Sequence, residues 1–280
     1  MQGAEEIRRH WREAAPRWRR HGAIVRDLTE PVSRAMVDAA GPAPGERWLD
    51  VAGGLGDPAR HIARRVAPEG RVVMSDLVHE MALAAAEDLE GAASVVTAAA
   101  EALPFESAFH GVTCRFGAMF FADPERALRE IRAALAPGGR AVFAVWAGPE
   151  RNPFFSELAS AVRDVVPDAP TPDPDEPHAF RYAPAGKFAA LLRAAGWVDV
   201  EERALPFLMS GSLSAGEYWD FMVGMSADLE GLIEDLPGDR RGLLRAGLED
   251  RVAPFFRNET SRFPAEARLV LARRPLEAAV

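Results

Sequence analysis

A glycine-rich turn follows a short apolar segment near residue 50, and its composition predicts a ligand-binding loop. Residues 47–51 are mostly apolar and follow a stretch rich in glycine and proline, as an interior parallel strand does. The glycines of the turn lack Cβ atoms, so its backbone can adopt positive φ and a ligand can press on the peptide groups. Asp57 and Pro58 then predict the N-cap and first turn of a helix over 59–66, whose free amides suit a polar or anionic group. The glycines are Gly53, Gly54 and Gly56.

The order of residues in the turn distinguishes between two classes of nucleotide cofactor. Asp50, Ala52, Gly54 and Gly56 stand at alternate positions, whereas a dinucleotide fold carries G-x-G-x-x-G directly after its strand. The alternate spacing resembles the first motif of class I S-adenosylmethionine (SAM) dependent methyltransferases. That family usually has glycine where this chain has Ala52, and the variant AGG is typical of its ubiquinone and menaquinone members.

An acidic residue at the end of the next predicted strand supports a nucleoside site. The strand over 71–75 ends in Asp76, 26 residues beyond Asp50, at the spacing that brings a carboxylate to the ribose of a bound nucleoside. Asp76 can also serve as the N-cap of the helix over 78–89, and the two roles are compatible. Leu77 is placed to contact one face of the adenine.

Two further stretches extend the resemblance. Residues 98–105, AAAEALPF, look like the motif that holds the adenine amine, although Ala99 stands where the family has Asp or Asn; the amide of Ala100 and the carboxylate of Glu101 remain candidates. The run from Cys114 to Phe155 is similar to the ubiquinone-type (UbiE-like) methyltransferases, so the resemblance covers about residues 45–155. It implies SAM as cofactor, S-adenosylhomocysteine as product, and cofactor contacts from Asp50, Ala52, Gly53, Gly54, Gly56, Asp57, Asp76, Leu77, Met81, Ala100, Glu101 and Phe116.

The alternation of strands and helices predicts an α/β fold with a doubly wound parallel sheet. The resemblance implies the Rossmann-like seven-stranded sheet of class I methyltransferases, with a sixth strand over 198–205 after a helix that Pro184 opens, and a seventh over 267–273. Residues 167–178 hold five prolines and four acids and predict a solvated loop. The expected units are an N-terminal helical lid (1–44), a SAM-binding core (45–166), a loop (167–183) and the rest of the core (184–280) with a helical insertion (214–258).

The N-terminal segment and the insertion are the candidate covers of a substrate. Residues 5–21 show a helical pattern interrupted at Pro16, with arginines around Trp11 and Trp18. This pattern fits either a solvated basic face or a lid. Thr29 and Pro31 predict the start of a second helix that Gly41 ends. The apolar stripes of the insertion fit core packing, and the family resemblance implies that Trp219 and Phe221 can line a pocket there.

Composition excludes several classes of function. A net charge of −9 argues against a nucleic-acid partner. The single cysteine, Cys114, excludes an internal disulfide and favours a reducing cytoplasm. No apolar run suggests a membrane span or a signal peptide, and no His/Cys cluster suggests a metal. A hydrolase elbow, G-x-S-x-G, is missing as well.

The sequence therefore predicts a methyltransferase that acts on a small molecule, with a homodimer through the insertion as a possible assembly. Candidate substrate contacts are Trp11, Trp18, Arg115, Met119, Trp146 and Trp219, and their apolar character favours an aromatic or lipophilic acceptor. None of the six histidines is assigned as a catalytic base. Two alternatives stay open: a SAM-binding protein of this fold with a non-methylating or regulatory role, and an NAD-dependent oxidoreductase.

Overall fold

The computed structural model describes residues 2–258 and 260–276, and this part of the chain is built around a single mixed sheet. Its strands are β1 Arg47–Val51, β2 Arg71–Asp76, β3 Ser94–Thr97, β4 Phe109–Arg115, β5 Leu135–Trp146, β6 Val198–Ser212, β7 Phe256–Arg257 and β8 Thr260–Arg273. Its helices are α1 Gln2–Arg20, α2 Gly22–Ala40, α3 Asp57–Val66, α4 His79–Leu89, α5 Pro124–Ala134, α6 Pro153–Val165, α7 Lys187–Ala194, α8 Ala215–Gly224, α9 Ala227–Asp235 and α10 Gly238–Val252.

The predicted doubly wound α/β sheet is confirmed. The strand order is β3-β2-β1-β4-β5-β8-β6, and β1 to β5 pair in parallel. Strand β8 then lies antiparallel between β5 and β6. The short β7 pairs with β8, so the described residues form eight strands rather than the seven expected.

The centre of the sheet is packed tightly enough to fix the position of β1. Trp48 is fully buried in β1 and stands opposite Gly111 of β4. A Cβ atom on Gly111 would lie 2.3 Å from the Trp48 ring, so only glycine fits there. Burial of the β1 side chains on both faces of the sheet explains why residues 48–51 are so apolar.

The two N-terminal helices differ from the predicted boundaries. Helix α1 runs through Pro16 without interruption, and α2 begins at Gly22 with Pro31 inside it. A proline inside a helix removes one backbone hydrogen bond, but tertiary burial of an apolar face outweighs this loss. In α2 that face starts at Val25 and Leu28, a full turn before the predicted start.

The C-terminal third also departs from prediction in its boundaries. The antiparallel pairing of β6 with β8 runs from Val198 opposite Arg273 to Ser212 opposite Thr260. Both strands are therefore longer than predicted from sequence. Helix α7 starts after Gly186, in the left-handed conformation, and not at Pro184. The insertion consists of α8, α9 and α10, and residues 167–178 form no helix or strand, as predicted. Within the described residues, no helix is both long enough and apolar enough to cross a membrane.

Candidate functional site

A cavity of about 1010 Å³ opens at the carboxyl ends of all five parallel strands. This is the edge at which open α/β sheets bind ligands. The cavity has two halves of different chemistry. One half contains the glycine turn after β1, Asp76 at the end of β2 and residues 98–101 after β3; we call it the polar half. The other, the apolar half, is lined by side chains from α2, α6, α8 and α9.

The glycine turn is held by backbone hydrogen bonds and by close packing. Gly53 N donates to Ser75 O at 3.1 Å, which ties the turn to β2. A Cβ atom on Gly53 would lie 2.3 Å from Met74 Cγ, so this position excludes any side chain. Gly54 has φ of 57° and Ala52, without the freedom of glycine, has φ of 52°. The sequence departure at Ala52 therefore falls on a residue in the left-handed region, where a Cβ atom is unfavourable.

Asp50 supports the turn from below and does not line the cavity. Its side chain is fully buried; Oδ1 accepts from Thr113 Oγ1 at 2.7 Å and Oδ2 accepts from Ala59 N at 3.3 Å. Burial raises the pKa of Asp50 to about 7. Asp50 thus joins β1, β4 and the start of α3, and its expected direct contact with a cofactor is not what the geometry provides.

Asp76 meets the expected geometry. It lies in the cavity lining, Oδ2 accepts from Gly54 N at 3.0 Å, and Oδ1 accepts from Val78 N at 3.0 Å. The carboxylate therefore orders the glycine turn and the entry to α4 together. Burial raises its pKa to about 6, although the backbone donors act in the opposite direction. Each oxygen keeps lone pairs with which to accept a further hydrogen bond.

The remaining residues of the polar half lie around Asp76. Leu77 and Met81 line the cavity after β2, and Ala100 and Glu101 line it from a 3-10 turn after β3. Glu101 Oε1 accepts from Ala122 N at 2.9 Å and from Asp123 N at 3.4 Å, so one of its oxygens is used to hold the loop before α5.

Two other residues assigned to the cofactor from sequence have structural roles instead. Gly56, with φ of 82°, is the N-cap of α3, so Asp57 lies inside the helix rather than capping it. The Asp57 carboxylate, 2% exposed, pairs with Arg26 at 2.9 Å and with Arg115 at 3.3 Å. Neither Gly56 nor Asp57 lines the cavity. A buried carboxylate needs such cationic partners, and they occupy Asp57.

Arg115 lines the cavity while its guanidinium is held by three side chains of α2 and α3. Nη1 donates to Thr29 Oγ1 at 2.8 Å and to Ser33 Oγ at 2.6 Å, and Nη2 donates to Asp57 at 3.3 Å. This arrangement connects the end of β4 to α2 and α3. Arg115 is therefore a fixed cation at the edge of the cavity.

An aromatic wall lies between the two halves. The rings of Phe116 and Trp146 are stacked with centroids 4.0 Å apart and planes 7° apart, and Phe155 packs edge-on against Trp146 at 5.1 Å. Phe116 has φ of 58°, an unfavourable conformation for a residue with a large side chain. Phe116 directly follows β4, and Trp146 is the last residue of β5.

The apolar half contains many side chains that the sequence analysis did not assign. Phe154, Leu158 and Val162 recur every four residues on α6, a spacing that could have indicated one helix face. The others have no local signal, because they come together from separate elements. The unassigned residues here are Val25, Leu28, Phe154, Phe155, Leu158, Val162, Met209, Met222, Met225 and Leu229, whereas Phe221 was expected at the pocket and lines it.

Among the expected substrate contacts, Trp219 is the exception. Trp11, Trp18, Arg115, Met119 and Trp146 all line the cavity, but Trp219 does not. Its ring lies under the guanidinium of Arg245 of α10, 5.8 Å from the centroid, so it packs within the insertion. Helical spacing alone could not show which face of α8 meets the cavity.

One of the six histidines lines the cavity. His10 lines it, whereas His61 pairs with Glu30 at 2.9 Å and His110 Nδ1 accepts from Arg47 N at 3.0 Å. In the described part of the chain, no group of three His, Cys, Asp or Glu side chains could hold a metal ion.

Comparison with known proteins identifies the segment that builds the polar half. Residues 49–143 match the family described as "Methyltransferase domain". Residues 49–143 therefore form a methyltransferase domain. The match starts in β1 and ends in β5, and it includes the glycine turn, Asp76 and Glu101.

The relatives of this methyltransferase domain confirm the resemblance to the ubiquinone type. The chain is 33% identical over 155 residues to the ubiquinone/menaquinone biosynthesis C-methyltransferase UbiE of Serratia proteamaculans, an alignment that covers 53% of this chain and 62% of that protein. It is 37% identical over 134 residues to the UbiE of Photorhabdus laumondii, covering 46% of this chain and 52% of the relative. The chain thus spans between half and two thirds of the length of these relatives.

A solved structure shows that the fold extends beyond the matched segment. A putative methyltransferase from Bacillus halodurans superposes with a TM-score of 0.54 at 23% identity, over 87% of this chain and 98% of that one. The similarity in fold therefore extends well beyond residues 49–143.

Proposed function

We propose that this protein transfers the methyl group of SAM to an oxygen, nitrogen or carbon nucleophile of a small aromatic or lipophilic molecule. The observation that carries the proposal is that one cavity contains both a polar half, with the Asp76 carboxylate, and an apolar half. Its volume of about 1010 Å³ is at the upper end of the range of single-ligand pockets, roughly 300–1,000 Å³. That size suits two ligands lying end to end.

The polar half fits the adenosine part of the cofactor. Asp76 is assigned to the ribose hydroxyls, because its oxygens retain acceptor capacity after their backbone contacts. Leu77 and Met81 are assigned to the faces of the adenine, and Ala100 N and Glu101 Oε2 to its edge. Ala52, Gly53 and Gly54 allow close approach of the backbone, and Phe116 borders the acceptor.

The apolar half is assigned to the acceptor. Phenylalanine, leucine and methionine side chains dominate its lining, and Arg115 is the fixed cation at its edge. When bound, SAM would supply a methyl group on a positively charged sulfur. The lone pair of the acceptor nucleophile would form the new bond to the methyl carbon as the carbon–sulfur bond breaks and S-adenosylhomocysteine leaves. The protein residues then orient the acceptor at the aromatic wall and exclude water. Holding two reactants in a favourable orientation can be equivalent to an effective molarity of roughly 10⁵ to 10⁸ M.

The division of the chain into units supports the same assignment. We propose that residues 45–166 form the cofactor core, that residues 1–44 cover it, and that the insertion 214–258 closes the acceptor end. Both covers contribute to the cavity lining, through Trp11 and Trp18 of α1 and through Phe221 and Leu229 of the insertion.

Methyl transfer from isotopically labelled SAM tests the proposal. The purified protein is incubated with SAM carrying a labelled methyl group and with a panel of phenols, quinols and amines, and the products are identified by mass spectrometry. We expect label on an aromatic or lipophilic member of the panel, and none with the Asp76→Ala variant. Binding of S-adenosylhomocysteine without label on any acceptor would favour a non-methylating role, and stabilisation by NAD instead would favour an oxidoreductase.

A further inference from the structure

The C-terminal half of helix α1 packs against the polar half of the cavity. Ala15, 4% exposed, is buried in a cluster with Leu55 of the glycine turn and with Val78 and Met81 at the start of α4. These are neighbours of Asp76, not of the acceptor side chains of α6 and α8. We call this group the adenosine-side cluster.

Two tryptophans on α1 pack against the adenosine-side cluster. Trp11 and Trp18 both contact it, and Leu77 lies beside them. Both indoles are only partly buried, and both line the cavity. Trp11 also packs edge-on against Phe120 at 5.0 Å and against Trp18 at 5.6 Å. The free surface of the pair is therefore turned toward the space next to Leu77.

Trp18 differs from Trp11 in its second set of neighbours. Besides the adenosine-side cluster, Trp18 packs against the main core, which contains Val25 and Leu28 of the apolar half. Trp18 thus contacts both the adenosine-side cluster and the main core, and Trp11 contacts the adenosine-side cluster and Phe120.

Ion pairs hold α1 at both ends of the cavity. Arg19 pairs with Glu87 of α4, beside the polar half, and Arg17 pairs with Glu230 of α9, beside the apolar half. The helix is therefore attached to elements on both sides of the cavity.

We infer that Trp11 is a binding residue for the adenosine part of the cofactor and that Trp18 contacts both cofactor and acceptor. This assignment rests on the proposed function, and it adds a cofactor contact to two tryptophans that the sequence analysis places among the candidate substrate contacts. The chemistry is that of an indole against a nucleobase: stacking on an aromatic side chain is favourable for any base because every base has a π face.

Titration with S-adenosylhomocysteine tests the inference, with tryptophan fluorescence and calorimetry as readouts. The variants are Trp11→Phe, Trp11→Ala and Trp18→Phe, and Trp219→Phe is the matched control because that indole packs outside the cavity. We expect Trp11→Phe and Trp18→Phe each to lose part of the fluorescence change that the ligand causes in the wild type. Trp11→Ala should raise the Kd about tenfold, the size of effect expected for one stacked base, and Trp219→Phe should match the wild type.

The outcomes separate this inference from the proposed function. Wild-type affinity for S-adenosylhomocysteine in Trp11→Ala, or a rise in the KM for the acceptor alone, would overturn the inference and leave the methyltransferase assignment standing. Failure of the wild type itself to bind S-adenosylhomocysteine would overturn both. If Trp11→Ala does not fold, the fluorescence change of Trp11→Phe still decides, since an unchanged signal would contradict the contact.

Discussion

Asp76 is the residue at which protonation and ligand binding are most directly linked. Burial raises its pKa to about 6, from 3.8, so the carboxylate that can accept two ribose hydroxyls is lost as the pH falls through 6. S-adenosylhomocysteine should therefore bind about tenfold more weakly at pH 5 than at pH 7, as expected when only the ionised form binds. Isothermal calorimetry at half-unit pH steps measures this dependence.

The control for this pH dependence is Asp76→Asn. The amide has nearly the same shape but does not titrate, so its Kd should be higher than that of the wild type at pH 7 and flat between pH 5 and 7. A wild-type Kd that does not change over this interval would show that Asp76 is not the group that accepts from the cofactor.

Ala52 is the residue at which the turn departs from the family motif, and its backbone carries a cost. With φ of 52° its Cβ atom is strained, and that atom also lies where Gly117 must lack one: a Cβ on Gly117 would be 2.4 Å from it. Ala52→Gly should stabilise the protein by about 1 kcal/mol in urea unfolding, by removing the left-handed strain. Gly53→Ala is the opposing variant and should destabilise, because its new Cβ would meet Met74. A lower stability of Ala52→Gly would contradict the role given to strain.

At the scale of elements, what the sequence could predict follows from how local the determining contacts are. The β1 turn and α5 were predictable because their signals are adjacent: Asp123 accepts from Arg126 N three residues on, and the glycines follow β1 directly. The continuity of α1 through Pro16 was not, since it depends on packing of Ala15 against α4. The identity of the partners of Arg115 was also hidden, because Thr29 is 86 residues away.

The pair Arg17–Glu230 is the element-scale feature that attaches α1 to the insertion. Both side chains are partly exposed, 29% and 42%, so the pair contributes little to global stability, about 0.2–1 kcal/mol. Its expected effect is local: Glu230→Gln should leave the melting temperature nearly unchanged but raise hydrogen exchange in α1. Mass spectrometry of the peptides covering residues 2–20 measures this.

Glu249→Gln is the matched control for that experiment. It removes an ion pair of similar exposure, Arg245–Glu249, that lies within α10 and attaches no other element. Exchange in α1 should be the same as in the wild type. If both variants or neither changed the exchange of α1, the attachment of α1 to α9 would have to come from other contacts.

At the scale of the molecule, the cavity is the meeting point of three separate parts of the chain. The methyltransferase domain supplies the polar half, α1 covers it, and α6 with the insertion completes the apolar half. A ligand that spans both halves therefore contacts all three parts. Its binding should therefore raise the free energy of unfolding of the whole fold rather than stabilise the turn alone.

The single cysteine provides a probe of this linkage. Cys114 is fully buried in β4, one residue before Arg115, and burial raises the pKa of its thiol to about 12. A thiol reagent can reach it only when the sheet opens, so labelling should be slow in native buffer and fast in denaturant. Saturating S-adenosylhomocysteine should slow it further by a factor of 1 + [L]/Kd, which is about 100-fold at 100 times the Kd. Mass spectrometry of the labelled protein over time gives both rates, and Cys114→Ala defines the background. Labelling at the rate of an exposed thiol, or a rate that the ligand leaves unchanged while it binds, would mean that β4 opens independently of the site.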